Sequence, residues 1–124
     1  MRRCTDAGFD DLRPAHLVVF QHIRKEGSRL TELAARAQLT PQSMGYLVDH
    51  LESSGYVERR PDPTDRRAAL ICLTDRGWSQ VRCALGAIAD IEQRWAAAIG
   101  ARRYKDVKRA LSDLCEILAR DGYV

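Results

Sequence analysis

Apolar residues recur every three or four positions through most of the chain, and that rhythm breaks only around residues 56–74. The first periodic segment runs from about Leu12 to Lys25, with Pro14 suited to an opening turn, where its missing N–H is not needed. Leu17, Val18, Phe20 and Ile23 make its expected buried face, and Gly27 ends it. A second helix is expected from about Leu30 to Ala37, with Thr31 near its start and Leu33, Ala34 and Ala37 turned inward. The third is the best marked. Thr40 offers a side-chain oxygen to the first turn, Pro41 takes the first helical position, and Gly55 is the stop. Met44, Leu47, Val48 and Leu51 must face the core. That leaves Gln42, Ser43, Gly45, Tyr46, Asp49 and His50 on the outer side.

"YVERR" and "AALICL" alternate as strands do, with Ala69, Ile71 and Leu73 on one face and Leu70 and Cys72 on the other. Between them "PDPTDRR", with prolines at 61 and 63, is expected to be an irregular hairpin tip. A long helix follows from about Asp75 to Ile99, capped by Thr74, with the stripe Trp78, Val81, Leu85, Ile88, Ile91, Trp95 and Ile99. Gly100 breaks it. A last helix, Ala101 to about Arg120, repeats Tyr104, Val107, Leu111, Leu114 and Leu118, the seam of a helix packed lengthwise on others. The two stripes hold more apolar surface than one helical hairpin can hide, so a partner subunit is the expected cover. The expected fold is mainly α with a small β-hairpin wing. Residues 1–124 form one domain, with a winged helix-turn-helix lobe over 12–77 and a helical dimerisation region over 78–121.

Composition narrows the function classes. The chain has 124 residues, 45% hydrophobic and 30% charged, enough for a modest folded core. A net charge of +3 permits an anionic partner without requiring one. The start, "MRRCTDAGFDD", lacks the apolar core of a secretion signal, and no stretch approaches a membrane span, so the cytoplasm is the expected location. Cysteines 4, 72, 83 and 115 show no C-x-x-C spacing, and His16, His22 and His50 form no ligand cluster with them. No metal or cofactor is expected. The cysteines read as small buried hydrophobes, with Cys4 the one candidate for redox chemistry. No nucleophile motif or phosphate-binding glycine loop is present, which argues against an enzyme.

A short helix pair followed by a hairpin is a shape that reads DNA. A helix fits the major groove, where base edges present distinct donors and acceptors. Gln42, Ser43, Tyr46 and His50 can hydrogen-bond there, and Gly45 permits close backbone approach. An arginine at a hairpin tip can enter the minor groove. Against this stands the plainer reading, that surface helices are polar anyway and that arginine near aspartate is a solvated ion pair. A winged helix used only for protein–protein contact is the rival from another class.

The segment "LTELAARAQLTPQSMGYLVDHLESSGYVERRPDPTDRRAALICLTDRG" resembles the MarR family of bacterial transcription regulators. Leu30, Leu33 and Ala34 match its first signature. Val48, Leu51, Gly55, Tyr56, Val57 and Arg59 match the second, and Asp65, Arg67, Leu73, Thr74 and Gly77 the wing and its exit. The resemblance implies that Gln42, Ser43, Gly45, Tyr46 and His50 touch the major groove. It also implies that Arg67 reaches the minor groove with Asp65 steadying it, and that Arg59, Arg60 and Arg66 meet phosphates. It further implies a homodimer on a palindromic operator, built in part from Tyr104, Val107, Leu111, Leu114 and Leu118, and room for a small-molecule effector in a cleft for which Arg13, His16 and Trp78 are candidates, each with a structural reading beside it: Trp78 opens the apolar stripe of its helix and reads first as core. The chain departs from the pattern in two places. About eleven residues precede Leu12, where the family has a long helix, and the outer face of the third helix carries no Lys or Arg.

Overall fold

The structure is a computed structural model and describes residue 4 and residues 7–123. Among these the elements run α1 (Pro14–His22), α2 (Leu30–Ala37), α3 (Pro41–Ser53), β1 (Val57–Asp62), β2 (Asp65–Leu73), α4 (Asp75–Ile99) and α5 (Ala101–Arg120). The chain divides into two compact units, one up to Leu85 and one from Gly86, so the division falls inside α4.

In the first unit α1, α2 and α3 pack pairwise, and α3 also meets β1. Local rules account for each boundary. The Thr40 hydroxyl accepts the Ser43 amide at 3.1 Å and caps α3. At the other end Gly55 sits at φ +83°. The Tyr56 amide bonds the Leu51 carbonyl at 2.8 Å and the Gly55 amide bonds Glu52 at 3.1 Å, a left-handed glycine stop. The same pair of bonds closes α2 through Gln38 at φ +56°, without a glycine. Thr74 opens α4, its hydroxyl accepting the Gly77 amide at 3.2 Å.

The core is Val19, Leu33, Ala34, Met44, Val48, Leu51, Tyr56, Val57, Ile71 and Leu73. Burying each large side chain contributes about 1.5–3 kcal/mol. Three expectations need correction. First, α1 is shorter than residues 12–25. Ile23 turns extended, leading the chain through Gly27 to Ser28, whose backbone pairs with Ile71 beside the hairpin. Its buried positions are His16 and Val19, while Leu17, Val18, Phe20 and Ile23 are half-buried around them. Second, most of "PDPTDRR" is strand, and only Pro63 and Thr64 turn. Pro61 is tolerated because β1 is an edge strand, and the register shifts between Pro61 and Asp62. Ile71 and Leu73 are buried as expected, but Ala69 is exposed and Cys72 is buried on the other face. Third, the cysteines are not uniformly buried: Cys4 and Cys83 are half-buried and Cys115 is exposed.

In the second unit the end of α4 and α5 share a Lys108–Glu92 ion pair at 3.3 Å. No residue of α5 is buried. Ile88, Trp95 and Ile99 of α4 and Val107, Leu111, Leu114 and Ile117 of α5 all stand exposed, while Tyr104 and Leu118 are half-buried. Among the described residues no helix is long and apolar enough to cross a membrane.

Candidate nucleic-acid interface

Helix α3 presents Gln42, Ser43 and Tyr46 to solvent, with Tyr46 68% exposed. Gly45 lies between them with open space beyond its Cα, so the surface at this turn is backbone. His50, one turn further along, behaves differently. Its ring stacks on His16 of α1 with centroids 4.1 Å apart and planes within 9°. Its Nε2 lies 3.2 Å from the Asp11 carbonyl, and a carbonyl only accepts, so that nitrogen carries the proton. His50 is therefore half-buried and tied to the N-terminal segment as well as being on α3.

His16 has its own constraint. Its Nδ1 accepts the Arg13 amide at 2.9 Å at the start of α1. Burial lowers its pKa first, and the charges of His50 and Arg13 lower it further, against a smaller opposing pull from Asp11. Asp11 in turn accepts the Tyr56 hydroxyl at 2.5 Å and faces Arg76 at 3.3 Å. The Tyr56 bond is the main reason its carboxyl titrates below the usual range. Tyr56 itself is fully buried, with Phe20 edge-on at 5.9 Å and the Arg76 guanidinium 4.5 Å above its ring. Asp11, Tyr56, Arg76 and the histidine pair thus fix the C-terminal end of α3.

The wing arginines divide into two kinds. Arg59 donates to Glu52 and to Asp49 at 2.8 Å, so its charge is matched by two carboxylates of α3. Arg60 pairs with Glu58 on its own strand. Arg66 and Arg67 are exposed, and among the described residues neither guanidinium has an ion-pair or hydrogen-bond partner. Asp65 meets Arg67 through the backbone and not through its guanidinium: its Oδ1 accepts the Arg67 amide at 3.0 Å.

The turn that presents these two arginines rests on residues that the sequence reading passed over. Asp62 is 6% exposed. One carboxylate oxygen accepts the Thr64 amide at 2.8 Å and the Thr64 hydroxyl at 2.7 Å. The other accepts Nε and Nη2 of Arg29 at 2.9 and 2.7 Å. The Thr64 amide, its hydroxyl and Arg29 together hold the Asp62 carboxyl down to about 2. The signal available in sequence was D-P-T, since aspartate two residues before a free amide commonly closes a turn on itself. Nothing local pointed to Arg29.

A cavity of about 510 Å³ lies on the other face of the hairpin, lined by residues that include Lys25, Glu58, Arg60, Cys72 and Trp78. Of the three residues expected near an effector only Trp78 lines it. Arg13 and His16 do not. Burial pushes the Cys72 thiol up, away from thiolate reactivity. Among the described residues no group of three His, Cys, Asp or Glu side chains gathers as a metal site.

Residues 10–68 match the sequence pattern of the MarR family. Over 65 residues the chain is 34% identical to the HTH-type transcriptional repressor MdtR of Bacillus subtilis, covering 52% of this chain and 42% of that protein. It is 33% identical over 85 residues to the HTH-type transcriptional regulator MT0903.1 of Mycobacterium tuberculosis, covering 66% and 57%. The matched regions thus span roughly half of these relatives' own length. In three dimensions the chain resembles Streptococcus pneumoniae FabT, solved in complex with DNA, with a TM-score of 0.76 over 90% of this chain and 79% of that one at 17% identity, a likeness of fold. The sequence match places residues 10–68, which hold the helix-turn-helix and the tip of the wing, in the MarR family, and the fold around them is a winged helix.

Proposed function

We propose that the chain is a double-stranded DNA-binding transcriptional regulator, acting as a homodimer on a palindromic operator and repressing the gene it covers. In this reading the exposed turn Gln42–Tyr46 enters the major groove and Arg67 the minor groove, with Arg66 on phosphate. The observation that carries it is the selective pairing of charge in and beside the wing. Arg29, Arg59 and Arg60 are matched by carboxylates, while Arg66 and Arg67 at the tip keep open guanidinium forks. An arginine without a protein partner meets an anion at little desolvation cost. The repressor name of MdtR and the DNA complex of FabT support the same reading.

The placement of individual contacts follows from geometry. Gln42, Ser43, Gly45 and Tyr46 are major-groove candidates. His50 is a weaker one, because its ring is engaged by His16 and Asp11. Arg59 and Arg60 reach phosphate only by leaving their carboxylates. Dimerisation is supported by the exposed apolar positions Val107, Leu111, Leu114 and Ile117, with Tyr104 and Leu118 flanking them. A small-molecule effector acts, in this proposal, by favouring a spacing of the two α3 helices that no longer fits half-sites one turn apart. The cytoplasm is the compartment where such a protein meets its operator.

The test is fluorescence anisotropy with duplex from the gene's own upstream region beside a scrambled duplex, across a salt series. Preferential binding that weakens steeply with salt is the expected result. Equal, weak binding to both, and to every duplex recovered from a random pool, would sink the DNA reading in favour of a protein-binding winged helix.

A further inference from the structure

We propose that Arg29, at the start of the first helix of the helix-turn-helix, is a positioning residue that sets where the wing tip presents Arg67. The inference rests on the DNA-binding reading above and names a residue through which that site is assembled.

Arg29 is the residue immediately before α2. It lies 33 positions from Asp62, yet it sends two donors of one guanidinium onto Asp62 Oδ2. A second carboxylate, Asp65, stands 3.9 Å from its Nη2. Asp62 and Asp65 are the last residue of β1 and the first of β2, and they pair with each other in the register. Each aspartate holds one piece of the tip: Asp62 takes the Thr64 amide and hydroxyl, and Asp65 takes the Arg67 amide. One side chain at the N-terminal edge of α2 therefore faces both carboxylates that shape the turn, with a planar fork whose geometry fixes direction as well as distance. Ser28, the preceding residue, pairs its backbone with Ile71 of β2 at 3.0 and 2.8 Å. The wing is thus tied to the helix pair at two adjacent residues, by backbone near its base and by Arg29 near its tip.

A two-stranded hairpin twists and sways when held only at its base. A read of two grooves at once needs the tip fixed relative to α3, and the Arg29 fork supplies that second attachment. Arg29 would have to give up these carboxylates to meet a phosphate, because its Nε and Nη2 are already engaged and its charge is matched by the two aspartates.

The experiment is a double-mutant cycle on duplex selected by the wild-type protein from a random pool, using R29Q, R67A and R29Q/R67A. R67A should weaken binding by about tenfold or more, and R29Q by about threefold to tenfold. In the R67A background the effect of R29Q should largely vanish, because there is no longer an arginine to position. The salt slope should not change with R29Q alone. In the protein without DNA, hydrogen exchange at the Thr64 amide should quicken in R29Q while the thermal midpoint of the whole lobe holds. D62N, which keeps an acceptor for Thr64 but loses the charge facing Arg29, should reproduce the cycle and stands in if R29Q does not fold. Full, additive loss from R29Q in the R67A background would overturn the proposal, and with a shallower salt slope would make Arg29 a phosphate contact. Unchanged Thr64 exchange would overturn it too. If the wild type recovers no preferred duplex from the pool, the functional reading itself fails and this inference fails with it.

Discussion

Tyr56→Phe isolates the node that pins the end of α3. The hydroxyl donates to Asp11 Oδ1 at 2.5 Å and accepts from Arg76 Nη2 at 3.0 Å, on a side chain with no solvent exposure. Removing it leaves the ring contacts with Phe9 and Phe20 in place, so the apolar burial is unchanged and only the polar network is lost. A hydrogen bond to a charged group is worth about 1.5–3 kcal/mol. Here Asp11 and Arg76 keep 37% and 45% of their side-chain exposure and can recover water and each other, so the expected cost is at the low end, about 1–2 kcal/mol. Urea unfolding at neutral pH should show the midpoint falling with the slope unchanged.

The same substitution has a pH signature. Asp11 titrates below its ordinary value chiefly because Tyr56 donates to it. A carboxylate whose folded pKa is depressed contributes stability above its unfolded value, about 3.9, and loses that contribution as pH falls through the folded one. Tyr56→Phe should raise the folded value and flatten the acid dependence below about pH 4. A loss under about 0.5 kcal/mol, with the Asp11 carboxyl resonance titrating as in the wild type, would refute the network as a source of stability.

Three further outcomes are expected. Tyr46→Ala should narrow the difference in affinity between a selected duplex and a random one in parallel binding titrations, whereas an equal loss for both would make it a backbone contact. Leu111→Asp with Leu114→Asp should convert a dimer to a monomer in sedimentation velocity, and an unchanged mass would place the interface elsewhere. For His16, burial and the nearby cations lower the pKa, so the folded state resists a proton that the unfolded chain accepts near the ordinary 6.5. Stability should then decline as pH falls below about 6.5, and His16→Gln, which cannot titrate, should lose that slope in thermal melts between about pH 7 and pH 5.

What sequence made legible here was what is local. Thr40 capping α3, the glycine stop at 55 and Thr74 opening α4 each depend on neighbours within a few residues, and each stands as read. The extent of α1 was not legible, because its end is set by Ser28 docking on Ile71, far along the chain. Pro61 misled for a related reason. Proline argues against a central strand, but which strand lies at the edge is a property of the assembled hairpin. The outer face of α3 was legible as a pattern, yet the engagement of His50 was not. It depends on Asp11 and His16, which periodicity on α3 cannot see. Arg29 and Asp62 are the same case at 33 residues' separation.

Net charge is a poor guide to which cations of this chain are available to an anion. An excess of +3 spread over 20 basic and 17 acidic residues says little by itself. What matters is where pairing leaves charge uncompensated. Asp49 and Glu52 on α3 spend themselves on Arg59, and Glu58 on Arg60, so the base of the wing is close to locally neutral. Asp62 and Asp65 face Arg29 and bond the backbone of the tip, leaving the guanidinium of Arg67 unmatched. The carboxylates that look, in sequence, as if they would cancel the wing's charge instead order the turn that presents it. Beyond the screening length of about 8–10 Å at physiological salt, the rest of the surface contributes little to that local field. Replacing Asp65 should therefore weaken binding to an anionic partner even though it raises the net positive charge, a direction opposite to simple charge counting.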